Sequence, residues 1–153
     1  MSKQSAGILL FRIKNKRIEI FLVHPGGPFW KNKDPGAWSI PKGEFTQEEN
    51  ALDAAIREFK EETGTQLSGD FIELTPIKQK SGKIVHAWAV QSDLDVDAMQ
   101  CDSIVQIEWP PKTGKQISFP EVDKGEWFDA DVAKQKINPS QANLIDELIE
   151  KII

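Results

Sequence analysis

The chain has a single cysteine, Cys101, and two histidines, His24 and His86. One cysteine cannot close a disulfide within the chain, so a reducing compartment is the expected setting. Neither histidine lies near Cys101 in sequence, which leaves a Cys–His nucleophile pair without local support, and the thiol reads as buried or idle. Long apolar runs are also missing. Ile8 to Phe11 gives way at once to Arg12, Lys14, Lys16 and Arg17, too short a stretch for a signal-peptide core or a membrane span. A cytoplasmic protein with no membrane partner is expected. Positive charge is in deficit too: 19 Lys and Arg against 24 Asp and Glu give a formal net charge of −5. That is no footprint for a nucleic-acid duplex, and a polyanionic ligand would need local cations or metal. No repeat, low-complexity tract or linker divides the 153 residues, which read as one domain, 1–153.

Two runs rich in β-branched and aliphatic residues, about Ala6 to Arg12 and Ile18 to His24, predict strands buried on both faces. His24-Pro25-Gly26-Gly27-Pro28-Phe29-Trp30 cannot continue either and predicts a loop, whose Phe29-Trp30 pair would stack on a base or cap the core. Phe71 to Lys80 and Lys83 to Gln91 predict a hairpin around Ser81-Gly82. His86 in its second strand reads as structural, and Trp88 as pocket lining or core. Asp93, Asp95 and Asp97 lack the glycine and terminal glutamate of a calcium loop, so they predict a solvated turn. Ser103 to Trp109 predicts a strand stopped by Pro110-Pro111, Trp127-Phe128 the last strand, and Asp129 the cap of a helix over Ala130 to Gln135. Asn138-Pro139 opens a final helix with Leu144, Ile145, Leu148, Ile149 and Ile152 on one stripe.

Gly43 to Gly64, GEFTQEENALDAAIREFKEETG, carries the chemistry. Leu52, Ala55, Ile56 and Phe59 fall on one helical stripe, and Glu58, Glu61 and Glu62 on the outer face. Asn50 is the preferred N-cap, with Asp53 at N3; Thr46 with Glu49 is a rival capping box. Gly64 suits the left-handed position after the helix. The three glutamates stand at i, i+3 and i+4 and repel one another, a repulsion that a hard divalent cation would relieve. Taken alone, the triplet reads first as an ordinary solvated acidic face.

Gly43, Glu49 and Arg57-Glu58-Phe59-Lys60-Glu61-Glu62-Thr63-Gly64 resemble the signature of the Nudix hydrolases, departing at Thr65, where the family usually has an aliphatic residue. The resemblance implies an α/β/α sandwich with a mixed central sheet. It also implies metal-dependent hydrolysis of a nucleoside diphosphate linked to another moiety, with Mg²⁺ as cofactor and Mn²⁺ as a substitute. By the same resemblance Gly43, Glu58, Glu61 and Glu62 hold metal, Glu49 pairs with Arg57 to orient the glutamates, and Lys42 meets a phosphate. Trp30 and Trp38 are assigned to the substrate. The Phe119-Pro120-Glu121 segment is similar to one found before the last strand in some bacterial members, which makes Glu121 a further catalytic carboxylate. Glu61, Glu62 and Glu121 are all candidates for the general base, with Glu62 preferred and Glu121 second. Subgroup markers for ADP-ribose or dinucleoside polyphosphates include a proline or tyrosine beyond the motif; Pro76 lies too near it and there is no tyrosine. The opening strand and the Trp38 to Glu44 approach look like diadenosine polyphosphate hydrolases, which places a dinucleotide substrate slightly ahead of nucleoside triphosphates. The alternative is a nucleotide-binding sensor of the same fold that does not cleave.

Overall fold

A computed structural model describes residues 3–153. Its strands are β1 (Gln4–Lys14), β2 (Arg17–Pro25), β3 (Lys42–Glu44), β4 (Ile72–Glu73), β5 (Ile77–Lys78), β6 (Ile84–Gln91), β7 (Ile104–Glu108), β8 (Gln116–Pro120) and β9 (Val122–Asp129). Three α-helices, α1 (Ala51–Thr63), α2 (Ala130–Lys136) and α3 (Ala142–Ile152), accompany them. Seven strands form one sheet in the order β4-β6-β1-β2-β9, with β3 beside β1 and β5 beside β6. β1 pairs parallel with β6 and antiparallel with β2 and β3, so the sheet is mixed.

β1 sits at its centre because its apolar run serves both faces. Ala6, Ile8 and Leu10 pack with Phe21, Ala54, Ala55 and Phe59 under α1, while Leu9 and Phe11 pack with Ala133, Leu144, Ile145 and Leu148 of α2 and α3. The result is the α/β/α sandwich and mixed sheet expected of the sequence. No helix among the described residues is long and apolar enough to cross a membrane.

Three local differences have physical causes. The predicted strand from Phe71 to Lys80 is two short pieces, β4 and β5, because Pro76 has no N–H for the ladder. The stretch before Glu121 forms a strand that the sequence did not predict: β8 pairs with β7 in a separate two-stranded sheet, and β9 follows from Val122. Asn138 caps a single 3-10 turn (Pro139–Gln141) through Ser140 N–H, and α3 begins only after it.

Candidate active site

Asn50 accepts hydrogen bonds from Leu52 N–H and Asp53 N–H, which makes it the cap in preference to Thr46 with Glu49. Gly64 closes the helix at φ 83°, left-handed as expected. Between these ends α1 packs on β1 and β3. Ala54, Glu58 and Glu62 follow one another at i, i+4 and i+8, so they share the helix row that borders β3. Glu58 and Glu62 are therefore buried, 8% and 2% exposed, and not on an outer face as the periodicity suggested. Glu61 stays half exposed. Gly43 lies against Glu58 so closely that a Cβ there would stand 2.1 Å from the carboxylate carbon.

Arg57 ties the cluster together. Its Nε and Nη2 donate to the two Glu49 oxygens at 2.8 and 3.0 Å, and Nη1 donates to Glu58 Oε1 and Glu61 Oε1 at 3.0 Å each. The bidentate pair with Glu49 leads in holding Arg57 charged, and the same guanidinium keeps Glu49 below the usual carboxylate range. Glu49→Gln should lower kcat by roughly 10- to 100-fold by freeing the guanidinium to turn. The melting temperature should change by no more than about 3 °C, since the pair is half exposed. A comparable fall in both would show that Glu49 serves folding instead.

Burial pushes Glu62 up to about 9, with Glu121 and Glu58 adding repulsion and Lys42 offsetting part of it through its charge and backbone N–H. Glu58 is raised by burial first and Glu61 second. Lys42 is lowered by burial and by Lys83, against the pull of Glu62, Glu121 and Glu44. Glu121, between β8 and β9, is thereby placed with Glu58, Glu62 and Lys42. It is held at three points: Ser103 Oγ donates to its Oε2 at 2.6 Å, its N–H donates to Ser103 O at 2.8 Å, and its carbonyl accepts from Gly26 N–H at 2.9 Å.

The NUDIX domain family matches residues 1–148. The chain belongs to the Nudix family. The asymmetrical bis(5'-nucleosyl)-tetraphosphatase of Rattus norvegicus is 30% identical over 110 residues, 63% of this chain and 71% of the rat protein. Among solved structures, the NUDIX domain of Shewanella oneidensis NrtR complexed with ADP ribose superposes with a TM-score of 0.69 at 17% identity, covering 100% of this chain and 90% of that one. The binary complex of C. elegans Ap4A hydrolase superposes with a TM-score of 0.65 at 18% identity, covering 98% and 97%. Membership and the rat relative make this chain a Nudix pyrophosphohydrolase.

Nudix hydrolases generally use divalent metal ions, and the donors here suit one: hard carboxylate oxygens, with Glu58 and Glu62 raised by burial first and by neighbouring carboxylates second. Among the described residues no three acidic, histidine or cysteine side chains stand together as a metal-holding group, and Glu58 and Glu61 are turned to Arg57. Trp38, assigned to the substrate, is corrected: it is 2% exposed, packed edge-on against His24 and Phe128, and its Nε1 donates to Asp34. A ring enclosed on the α2/α3 side of the sheet has no face to offer a ligand. Trp30 is half-buried against exposed Phe29, whose ring carries the Lys33 ammonium at 3.3 Å. His86 Nε2 donates to Gln4 Oε1, and the ring packs edge-on against Phe45. Lys83 and Ser103 were missed by sequence reasoning. Each reaches the site through strand register with a residue far along the chain, a signal that no local motif carries.

Proposed function

We propose that this Nudix chain hydrolyses a phosphoanhydride bond of a dinucleoside polyphosphate, with Mg²⁺ as the ion and Mn²⁺ as a substitute. The observation that carries the reading is the burial of Glu58 against Gly43 and of Glu62 beside the Lys42 backbone N–H, where the charges of Lys42 and Glu121 also act on it. Glu58, Glu61, Glu62 and the Gly43 carbonyl are the groups that would hold the ion. When bound, the ion neutralises phosphate charge and lowers the pKa of water. Arg57, fixed by Glu49, keeps the carboxylates in place, and Lys42 holds a phosphate oxygen. Glu62 takes the proton of the attacking water; Glu121 is second in line for that role. If Glu121→Gln abolishes turnover at saturating metal while Glu62→Gln only weakens metal binding, the order reverses. The rat tetraphosphatase, being a sequence relative, supports the choice of a dinucleoside polyphosphate over ADP-ribose.

The test is nucleotide release from Ap4A, ADP-ribose, deoxynucleoside triphosphates and 5'-triphosphate RNA in Mg²⁺. The expected result is the highest kcat/KM on Ap4A. Tight binding without Mg²⁺-dependent turnover of any of the four would identify a sensor instead.

A further inference from the structure

The β2–β9 ladder breaks where β2 runs out into its loop. His24 pairs with Lys124 and Pro25 with Val122, so one residue of β9, Asp123, has no partner across the ladder. An extra residue of this kind bends its strand and re-aims a side chain. Here it turns the Asp123 carboxylate to the His24 ring, whose Nδ1 stands 3.0 and 3.2 Å from the two oxygens. The bulge lies two residues beyond Glu121, between that carboxylate and the regular part of β9.

The other ring nitrogen reaches the opposite way. His24 Nε2 stands 2.7 Å from the Lys33 carbonyl oxygen, in a turn closed by Lys33 N–H donating to Trp30 O at 3.0 Å. A carbonyl and a carboxylate only accept, so both ring nitrogens donate and His24 is held here as an imidazolium. The ring is 3% exposed and packs edge-on against Trp38, and a buried cation of this kind calls for a paired anion. Asp123 is that anion. Asp34 is engaged with Trp38 Nε1 and Lys136, the Lys33 ammonium lies over the Phe29 ring, and Lys124, opposite His24 in register, has its Nζ 5.4 Å from the Trp38 ring.

The same loop is also fastened at its start. Gly26 N–H donates to Glu121 O at 2.9 Å. A Cβ on Gly26 would stand 2.1 Å from Pro120 O, and one on Gly27, at φ 93°, 2.5 Å from the Phe119 ring. The loop therefore lies directly on residues 119–121, with no room for side chains between. Long loops without helix or strand are commonly functional, and this one is tied twice to the segment that carries Glu121.

We propose that His24 and Asp123 are positioning residues for Glu121. The imidazolium joins the Lys33 carbonyl to the bulge, and the clamp fixes the backbone from which Glu121 enters the site, while Ser103 holds its carboxylate. The clamp rests on the reading of Glu121 as a carboxylate of the site, and adds to it two residues that touch no substrate.

The first test needs no turnover. In nitrogen-15 NMR spectra of the whole chain near neutral pH, His24 should show two slowly exchanging ring N–H groups. Asp123→Ala should speed exchange of the Gly26 N–H at least about 10-fold. A single ring N–H on His24, or unchanged exchange at Gly26, overturns the clamp. The second test is kinetic, on the nucleotide that the parent cleaves fastest. Asp123→Ala should lower kcat roughly 10- to 100-fold with KM within about 3-fold. Asp123→Asn, whose amide oxygen still accepts from Nδ1, should return to within about 3-fold of the parent. Melting temperatures within about 5 °C of the parent show that both variants are folded. Asp129→Ala removes a carboxylate of equal exposure, 41% against 42%, from the far end of β9, and should change kcat less than about 2-fold. Because the clamp acts through Glu121, adding Asp123→Ala to Glu121→Gln should cost less than about 3-fold beyond Glu121→Gln alone. Losses that multiply in full, or an Asp123→Asn protein as slow as Asp123→Ala, overturn the positioning role. If Glu121→Gln turns over like the parent while His24 keeps both ring protons and Gly26 its protection, the reading of Glu121 fails and the clamp stands.

Discussion

Glu62→Gln is expected to reduce kcat about a thousandfold and, in the same protein without metal, to raise its stability at alkaline pH. Both effects follow from one buried carboxyl. Glu62 is 2% exposed and is pushed up to about 9 by burial and by the charges of Glu121 and Glu58. In the unfolded chain a glutamate titrates near its ordinary value, so between that value and about 9 the folded protein holds a proton that the unfolded chain has released. Stability linked to this group is therefore complete below the ordinary glutamate range and is lost as pH rises towards the folded value. Glutamine mimics the neutral acid at every pH. Denaturation of the metal-free proteins should show the parent losing stability from pH 5 to pH 9 and the variant holding level, with a gap of roughly 1–3 kcal/mol at the alkaline end. Mg²⁺ should reverse the order by stabilising the parent more than the variant. Parallel pH curves for the two proteins would show that Glu62 ionises as freely folded as unfolded, and the charge argument would fail.

The parts of this site that could be read from sequence are those set by short-range geometry. Asn50, Gly64 and the i, i+3, i+4 glutamates lie on one helix, and a helix fixes neighbours by spacing alone. The pairing of Glu49 with Arg57 needs only the turn before that helix. The direction of the acidic row was not legible in the same way. Periodicity separates a charged row from an apolar one, but only β3 running along the helix border turns Glu58 and Glu62 inward. Trp38 fails for a related reason: an indole beside a motif loop looks like a ligand platform until α2, arriving about a hundred residues later, places Ile137 in a bridge beside it. Lys83 and Ser103 depend on strand register and on the closing of the β7–β8 hairpin, neither of which is written in their own neighbourhoods.

Gly43→Ala should separate catalysis from folding more sharply than any other single change in the motif. The added Cβ would meet Glu58 Cδ at 2.1 Å and its two oxygens at 2.2 and 2.4 Å, closer than atoms can pack. What it meets is the free end of a flexible side chain and not backbone, so Glu58 can swing aside at little cost to the fold. Displaced, Glu58 no longer lies over Gly43 beside Glu62, and positioning is what the site depends on. The expected outcome is a fall in kcat of about 100- to 1000-fold with a melting temperature within about 3 °C of the parent. Glu58→Asp supplies the internal check, because an acid one methylene shorter leaves room for the new methyl group. Combined with Gly43→Ala it should lose less than the product of the two single losses, the mark of two side chains that contend for one space. If the two losses simply multiply, Gly43 acts through its backbone alone and the close approach of Glu58 has no part in turnover.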